Sequence, residues 1–276
     1  MKSRVALAIE YRGTDFCGFQ YQRNGRSIQT ELEVALSRVA NEEIQIKFAG
    51  RTDSGVHATN QVISFDCSNS RSSLAWLDGT NTYLPQDIAV HTVQKVDTSF
   101  DPRRSCVWRR YMYIFGESKW IPAIGRELAT WIPYPLDAGR LNSEVQVLVG
   151  EHDFTSFRSA HCQSKSPFRL VHSVAVIRYR DFVVMDIVAN AFLQKMVRNI
   201  AGTLLAISNR KVKDLESVLH ARDRKFAGAT APPDGLYLVQ IFYENFENLS
   251  QLRLPLIIGQ GLPNESNGVK PYTTTR

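Results

Sequence analysis

Residues 49–62 read AGRTDSGVHATNQV, a polar stretch that contains two glycines, one Arg and one Asp. The segments near 44–49 and 61–66 on either side alternate apolar and polar residues, which predicts a half-buried strand for each. The stretch between them is therefore interpreted as their connection. It is longer than the two-residue turn that joins neighbouring strands at the least entropic cost, which indicates a loop held in place for a purpose.

The order of the predicted elements extends outward from this connection. A strand at 4–10 and a helix from Ser27 precede it, and a helix near 72–82 and a strand near 88–96 follow, so the order is β-α-β-β-α-β. The second half repeats this order, with strands near 107–116, 171–179, 182–189 and 236–243 and with helices from Asp137 and near 191–207 and 213–221. The pattern predicts an α+β protein of two βαββαβ, ferredoxin-like lobes whose antiparallel sheets flank a central basic cleft.

Three regions are expected along the chain. Residues 1–105 form the first lobe and carry the Asp loop, residues 106–245 form the second lobe, and residues 246–276 form a tail that lacks periodicity and is expected to be partly disordered. Because βαββαβ topology serves many unrelated tasks, it does not by itself indicate a function.

Composition narrows the classes of function. The 276 residues carry 33 Lys and Arg against 27 Asp and Glu, a formal charge of +6 that favours a polyanionic partner, nucleic acid first. The four cysteines are widely spread without a C-x-x-C pair, so we expect reduced thiols, a cytoplasmic location and no metal site. No stretch approaches a membrane span, and the signatures of nucleotide hydrolysis, dinucleotide binding and α/β-hydrolase chemistry are absent, so no cofactor is expected.

Two residues of the 49–62 stretch are chemically versatile. Asp53 presents a carboxylate that can act as nucleophile or base, and it can equally be a turn former that bonds its own backbone. His57 suits an acid or base, or else a loop histidine that bonds the backbone or faces water.

Two later segments carry Arg beside aromatic or apolar residues. In VWRRYMYIF, residues 107–115, aromatic and Arg side chains can stack on an unpaired base, or they can pack across strands with snorkelling arginines. In NAFLQKMVRNI, residues 190–200, Arg198 lies beside an apolar stripe and can cover the core with its stem or pair with a carboxylate near a cleft.

In order along the chain, EYRGTDFCGFQ, RSIQTELEVAL, AGRTDSGVHATNQV, RRYMY, GEHDFTSFRS, NAFLQKMVRNIAG and DGLYL strongly resemble the TruA family of tRNA pseudouridine synthases, from about residue 4 to about 245. The resemblance implies isomerisation of uridine to pseudouridine in the anticodon arm of tRNA, around positions 38 to 40, by a homodimer that needs no cofactor. It implies that Asp53 is the catalytic carboxylate, Arg198 pairs with it and Tyr111 packs on the uracil.

The resemblance also assigns binding roles. Arg51 is implied to displace and hold the flipped nucleotide and Leu238 to line the uracil pocket, and Thr52 and Gly55 of the same loop are further candidates for substrate binding. The candidates for phosphate contacts are Arg23, Arg26, Arg103, Arg104, Arg109 and Arg110. The chain departs from the usual family pattern at Phe19, Ser54, Pro102 and Gln194-Lys195, none of which removes a proposed catalytic group.

Two other functions compete with this hypothesis. One is a non-catalytic tRNA-binding or RNA-folding protein on the same scaffold, which retention of Asp53, Tyr111 and Arg198 together weighs against. The other is a basic α+β protein that binds RNA through strand aromatics, although the K/R-G-F-G-F-V spacing of that class is not evident.

Overall fold

The computed structural model describes residues 3–23 and 25–261. It contains two compact units, and the chain passes between them more than once. The first unit comprises the chain up to Arg110 together with Leu236–Arg253, and the second comprises Tyr111–Gly235 and the chain from Leu254 on. Each unit combines helices with a mostly antiparallel set of strands, so the protein is of mixed α/β type.

The first unit contains β1 (Ser3–Tyr11), α1 (Ile28–Ala40), β2 (Lys47–Phe48), β3 (His57–Cys67), α2 (Ser73–Tyr83), β4 (Ile88–Val96) and β10 (Leu236–Phe242). Strand β1 pairs antiparallel with β3 on one side and with β4 on the other. Strand β3 also pairs antiparallel with β2 and parallel with β10. The two helices cover the sheet, where the ring of Trp76 packs edge-on against Phe65 at 4.9 Å.

The second unit contains β5 (Trp108–Glu117), which begins three residues before the unit boundary, β6 (Thr130–Ile132), α3 (Ala138–Val145), β7 (Gly150–Asp153), β8 (Phe168–Tyr179), β9 (Phe182–Ala189), α4 (Met196–Ser208) and α5 (Leu215–Ala221). Strand β8 pairs antiparallel with both β7 and β9, and β6 runs parallel to β5. Short 3₁₀ turns lie at 126–128, 146–148, 155–157, 224–226 and, after β10, at 256–261.

Helices α1 and α3 begin at the predicted positions, after Ser27 and Asp137. The Ser27 hydroxyl accepts a hydrogen bond from Thr30 N at 3.2 Å, and the Asp137 and Asp214 carboxylates cap α3 and α5 in the same way. In α1 the buried positions recur at helical spacing, because that face packs on the core.

Several predicted boundaries are wrong. Strand β3 begins at His57 rather than near 61, because Asn60 and Gln61 are buried polar residues that the alternation rule does not recognise. The Gln61 amide donates to Gly50 O at 2.6 Å and accepts from Gly50 N at 3.3 Å, which satisfies it inside the sheet. Helix α4 begins at Met196 rather than near 191, because Lys195 has a left-handed backbone with φ of 63°.

The C-terminal part of the chain adds a further difference. The sequence predicts a strand near 236–243 in the second lobe, but by its contacts Leu236–Arg253 belongs to the first unit, where β10 lies beside β3. The start of the expected tail is held there, because the Asn60 amide donates to Leu249 O and Gln251 O at 3.0 and 2.8 Å. The rest of that tail, 262–276, lies outside the described residues.

Candidate active site

Asp53 lies in the connection between β2 and β3, which is about four residues shorter at its C-terminal end than the sequence indicates, since β3 takes up 57–60. Its side chain is half-buried, that of Arg51 is exposed, and Thr52 between them is buried. The loop therefore directs alternate side chains toward solvent and toward the protein. The carboxylate of Asp53 is therefore partly open to solvent, while the buried Thr52 anchors the backbone beside it.

The backbone of the Asp53 loop, residues 49–56, is fastened to the segment 13–19. Phe19 N donates to Thr52 O at 3.1 Å, and Phe16 O accepts from Gly55 N at 3.4 Å and from the Ser54 hydroxyl at 3.1 Å. Two bonds from the loop thus converge on one carbonyl. Backbone groups of the loop take part in the bonds of Thr52 and Gly55, so the Asp53 loop has a fixed attachment to 13–19 through its main chain and the Ser54 hydroxyl.

Glycines allow the two segments to approach this closely. A Cβ atom on Gly13 would lie 1.9 Å from Val56 O, and one on Gly18 would lie 2.9 Å from Thr52 O. Gly18 also has a φ of 98°, which L side chains rarely adopt. Larger residues at either position would force the Asp53 loop away from its support.

His57 supports the Asp53 loop from within the core. It is buried, and its Nδ1 accepts a hydrogen bond from Gly13 N at 3.1 Å, so this histidine bonds the backbone, one of the two readings that the sequence left open. Its ring stacks on Tyr237 of β10 at 4.7 Å. The hydroxyls of Tyr11 and Thr52 are also joined, at 2.8 Å.

Leu238 in β10 lies beside β3, the strand that follows the Asp53 loop. It is the register partner of Ala58 in the parallel pairing of β10 with β3, and its side chain is fully buried. The sequence separates Leu238 from Asp53 by most of the chain, and only this pairing brings them into one unit. Arg51, Thr52, Asp53, Gly55 and Leu238 all belong to the first unit.

The second unit holds the other two proposed catalytic residues. The ring of Tyr111 in β5 is nearly buried and meets Phe192 edge-on at 5.0 Å. Arg198 is in the first turn of α4, where its Nε donates to Ala231 O at 2.9 Å and its own carbonyl accepts from Ala231 N at 3.1 Å. The Nε hydrogen bond orients the guanidinium, and the backbone bond joins the two segments. The pairing of Arg198 with Asp53 stays a prediction.

A family model described as tRNA pseudouridine synthase matches residues 7–103 and 145–244, well over half of the chain. The chain belongs to the tRNA pseudouridine synthase family. Asp53 lies in the first matched stretch, Arg198 and Leu238 lie in the second, and Tyr111 falls between them. The family match therefore includes both the Asp53 loop and helix α4, which carries Arg198.

Curated relatives agree with this family. The chain is 48% identical over 242 residues to tRNA pseudouridine synthase A of Legionella pneumophila strain Corby, covering 87% of this chain and 92% of that protein. It is 47% identical over 253 residues to the protein of that name from Shewanella amazonensis, covering 91% and 97%. It is 49% identical over 242 residues to the one from Tolumonas auensis, covering 87% and 93%.

Solved structures add little. A chain from the crystal structure of a Cbf5-Nop10-Gar1 complex shares 8% identity with this one, and the match covers 87% of this chain and 60% of that chain. The match spans less than two thirds of that chain, and its TM-score of 0.33 is too low to carry an argument about either molecule.

The arginines proposed as phosphate contacts differ in their surroundings. Arg23, Arg103 and Arg104 are exposed, and Arg110 is half-buried. Arg26 meets Glu31 at 2.6 Å and Asp87 at 3.0 Å and lies over the ring of Phe16, so carboxylates of the protein already balance its charge. Arg109 donates to Ala49 O at 2.9 Å, which places its guanidinium at the start of the Asp53 loop.

Within 3–23 and 25–261, no three or more His, Cys, Asp or Glu residues come together as a metal site would require. Over the same residues, none of the helices has the length and apolar character that crossing a membrane demands.

Sequence reasoning missed the residues that hold the site. Tyr11, Gly13, Phe16 and Gly18 fasten the Asp53 loop, and Tyr237 stacks on His57. A signal was present, because the first four lie in or next to EYRGTDFCGFQ, a motif that resembles the family but suggested no chemistry. Their partners lie about 40 residues away along the chain, so no local pattern indicates the contact.

Proposed function

We propose that this chain converts uridine to pseudouridine in the anticodon stem-loop of tRNA, at about positions 38 to 40, with Asp53 as the catalytic carboxylate. Family membership supports the reaction and its substrate. The observation that carries the residue assignment is the fastening of the Asp53 loop, because a carboxylate that must meet a reacting atom needs a preorganised backbone.

The reaction conserves atoms. The C1′–N1 bond of the nucleoside breaks, the uracil turns, C5 bonds to C1′, the C5 proton leaves and N1 takes up a proton. Breaking the glycosidic bond develops positive charge on the sugar, and an ionised carboxylate beside it lowers that barrier. Asp53 acts by stabilising this charge, by bonding covalently to sugar or base, or by removing the proton.

The other residues act on the target nucleotide. A uridine in a stem must leave the stack, which costs a few kcal/mol, and the exposed Arg51 beside Asp53 is suited to hold the strand open. Tyr111 packs on the uracil, Leu238 lines its pocket, and Arg198 pairs with Asp53. Thr52 and Gly55 shape the loop, through a buried hydroxyl and a φ of 78°.

The finer architecture is part of the same proposal. Two ferredoxin-like lobes flank a basic cleft that receives the tRNA, and the enzyme acts as a homodimer in the cytoplasm. The charge of +6 supports a polyanionic substrate. Arg23, Arg103 and Arg104 are the exposed candidates for phosphate contacts. Arg109 and Arg110 are further candidates and directly precede Tyr111, the first residue of the second unit, along the chain.

The test is tritium release from tRNA transcribed with uridine labelled at C5. Wild type and an Asp78→Ala control, which removes an exposed carboxylate of α2, should release tritium, and Asp53→Ala should not. All three proteins should bind tRNA, because the substitution leaves the loop backbone fastened. Binding without release by wild type would favour the non-catalytic alternative, and release by Asp53→Ala would refute the residue assignment.

A further inference from the structure

The loop from Arg158 to Arg169 in the second unit carries a concentration of positive charge that the proposed function does not use. Its sequence, RSAHCQSKSPFR, contains Arg158, His161, Lys165 and Arg169 and no Asp or Glu. We call residues 158–169 the basic loop. Arg158 is also part of GEHDFTSFRS, a motif of the family resemblance to which no role was assigned.

The two arginines at its ends converge on one residue. Arg158 Nη2 donates to Cys162 O at 2.8 Å and to Ser164 O at 2.6 Å. Arg169 Nη2 donates to the Ser164 hydroxyl at 2.6 Å, and its Nη1 donates to Ser166 O at 3.0 Å. Neutral oxygens of the loop therefore hold both guanidiniums in place.

Among the described residues, neither of these two guanidiniums has the carboxylate partner that some other arginines of the chain have. Arg4 meets Asp66 at 2.7 Å and Arg178 meets Glu117 at 2.7 Å, whereas in the described part of the chain neither Arg158 nor Arg169 forms an ion pair with a carboxylate. Burial lowers the pKa of Arg169, the nearby Cys162 thiolate opposes this in part, and the neighbouring charge of Arg158 lowers the pKa further. Arg169 Nε is buried and has no hydrogen-bond acceptor among the described residues.

Two like charges held together and partly buried destabilise a protein unless something offsets them. Hydrogen bonds to neutral oxygens orient the guanidiniums but do not neutralise them. An anion bound beside both would supply the missing charge, and phosphate matches the geometry and charge of guanidinium donors. The basic loop thus has the character of an anion site with its donors already oriented.

The surroundings favour a polymer over a small anion. His161 and Lys165 are exposed on the loop, and Phe168 beside Arg169 is 49% exposed, so the site is an open surface rather than an enclosed pocket. The loop is also tied to the segment before α4, because Ser159 N donates to Gln194 O at 3.1 Å and Gln194 N to Cys162 Sγ at 3.5 Å. That segment leads directly into the helix that carries Arg198.

We propose that the basic loop binds a backbone phosphate of the substrate RNA through Arg158 and Arg169, with Lys165 at its rim, and so positions the tRNA. This inference rests on the proposed function for the identity of the RNA. These residues are positioning residues, since they act on the phosphodiester backbone and not on the uridine.

The experiment measures the dissociation constant of tRNA over a series of KCl concentrations. Arg158→Gln and Arg169→Gln should each weaken binding about tenfold and lower the slope of log Kd against log salt by about 0.7–0.9, the change for one lost phosphate contact. Lys165→Gln, which breaks no side-chain hydrogen bond or ion pair with the described residues, should lower the slope less. Arg169→Lys should regain most of the slope because it keeps the charge.

The matched control is Arg140→Gln, an exposed arginine of α3 in the same unit whose side chain forms no hydrogen bond or ion pair with the described residues. It should leave both Kd and slope unchanged. In the tritium assay the loop variants should raise KM and keep kcat, since they leave the reacting groups in place.

Three results would overturn the inference. Unchanged slopes in folded variants would show a purely structural role, and an equal effect of Arg140→Gln would show only a loss of overall charge. Stabilisation of wild type by inorganic phosphate, lost in Arg169→Gln while the tRNA slope stays unchanged, would assign the site to a free anion. Binding is measured without turnover, so a wild type that binds through the loop but releases no tritium would contradict only the proposed function.

Discussion

The Asp53 loop and the basic loop hold their candidate functional side chains by opposite means. The Asp53 loop is fastened by backbone groups of residues 13–19 and by glycines that permit close approach. The basic loop is held by the same arginines that give it its charge, through carbonyl and hydroxyl oxygens of the loop itself.

The difference follows from what each loop must do. A single reacting carboxylate has to keep one position within a fraction of an ångström, and backbone hydrogen bonds achieve this whatever its charge state. A phosphate contact tolerates looser geometry but needs charge, so the same guanidinium can both fold the loop and present the charge. Substitutions should therefore impair catalysis at the first loop and RNA affinity at the second.

The largest effect should come from Gly13→Ala. The added Cβ would meet Val56 O at 1.9 Å, so the Asp53 loop has to move. We expect the unfolding free energy to fall by about 1–3 kcal/mol and kcat to fall on the order of a hundredfold. Denaturant unfolding and tritium release measure the two quantities.

The control for this substitution is Gly139→Ala in α3, where a Cβ would lie 3.5 Å from its nearest neighbour, an ordinary contact. It should keep full activity and leave stability unchanged or slightly higher, since alanine favours a helix. If Gly13→Ala retained wild-type kcat, the fastening of the Asp53 loop would not be what positions the carboxylate.

The second prediction concerns thiol reactivity and tests the electropositive character of the basic loop. Burial opposes ionisation of Cys162, but hydrogen bonds from Ser164 and Gln194 and the charge of Arg158 outweigh it, so the pKa of Cys162 lies below its usual range. Burial raises the pKa of Cys106 in the first unit to about 11. At mildly alkaline pH, iodoacetamide should alkylate Cys162 on the order of a hundredfold faster than Cys106.

Arg158→Gln should slow the alkylation of Cys162 severalfold and leave Cys106 unchanged, because it removes one of the causes of the lowered pKa. Peptide mass mapping at timed intervals separates the two sites. In denaturant the two thiols should react at similar rates. Equal rates in the folded protein would contradict the contrast between the two environments.

The smallest effect should come from Ser54→Ala, because Ser54 is one of the positions at which the chain departs from the usual family pattern. The substitution removes the hydroxyl bond to Phe16 O at 3.1 Å and leaves the backbone bond from Gly55 N to the same carbonyl. We expect a loss of about 0.5–1.5 kcal/mol in stability and less than a twofold change in kcat. A larger loss of activity would mean that side-chain bonds, and not the backbone, hold the loop.

Local patterns predicted much of the secondary structure. The apolar spacing and cap of α1 and the alternation of β8 are readable because each of these elements buries one face against the core, and burial of apolar side chains is what periodicity reports. The short strands β6 and β7, with 3 and 4 residues, are too brief to show any period. The sequence also made Asp53 and Arg198 candidates. Asp53 is a carboxylate in a glycine-containing loop, and Arg198 is a charged residue beside an apolar stripe.

Tertiary structure alone decided how these residues are held. Asn60 was predicted to lie in a loop because it is polar, yet it is buried in β3 by a bond to Leu249, a residue 189 positions away. In the same way, β10 joins β3 in the first unit, Gly13 supports the Asp53 loop, and Ala231 orients Arg198. The amino-acid sequence by itself determined the order of most elements and indicated the side chains that we propose to carry the chemistry. Contacts between distant segments determined their positions, because a hydrogen bond or a close approach depends on the folded path of both partners and leaves no local periodicity in either.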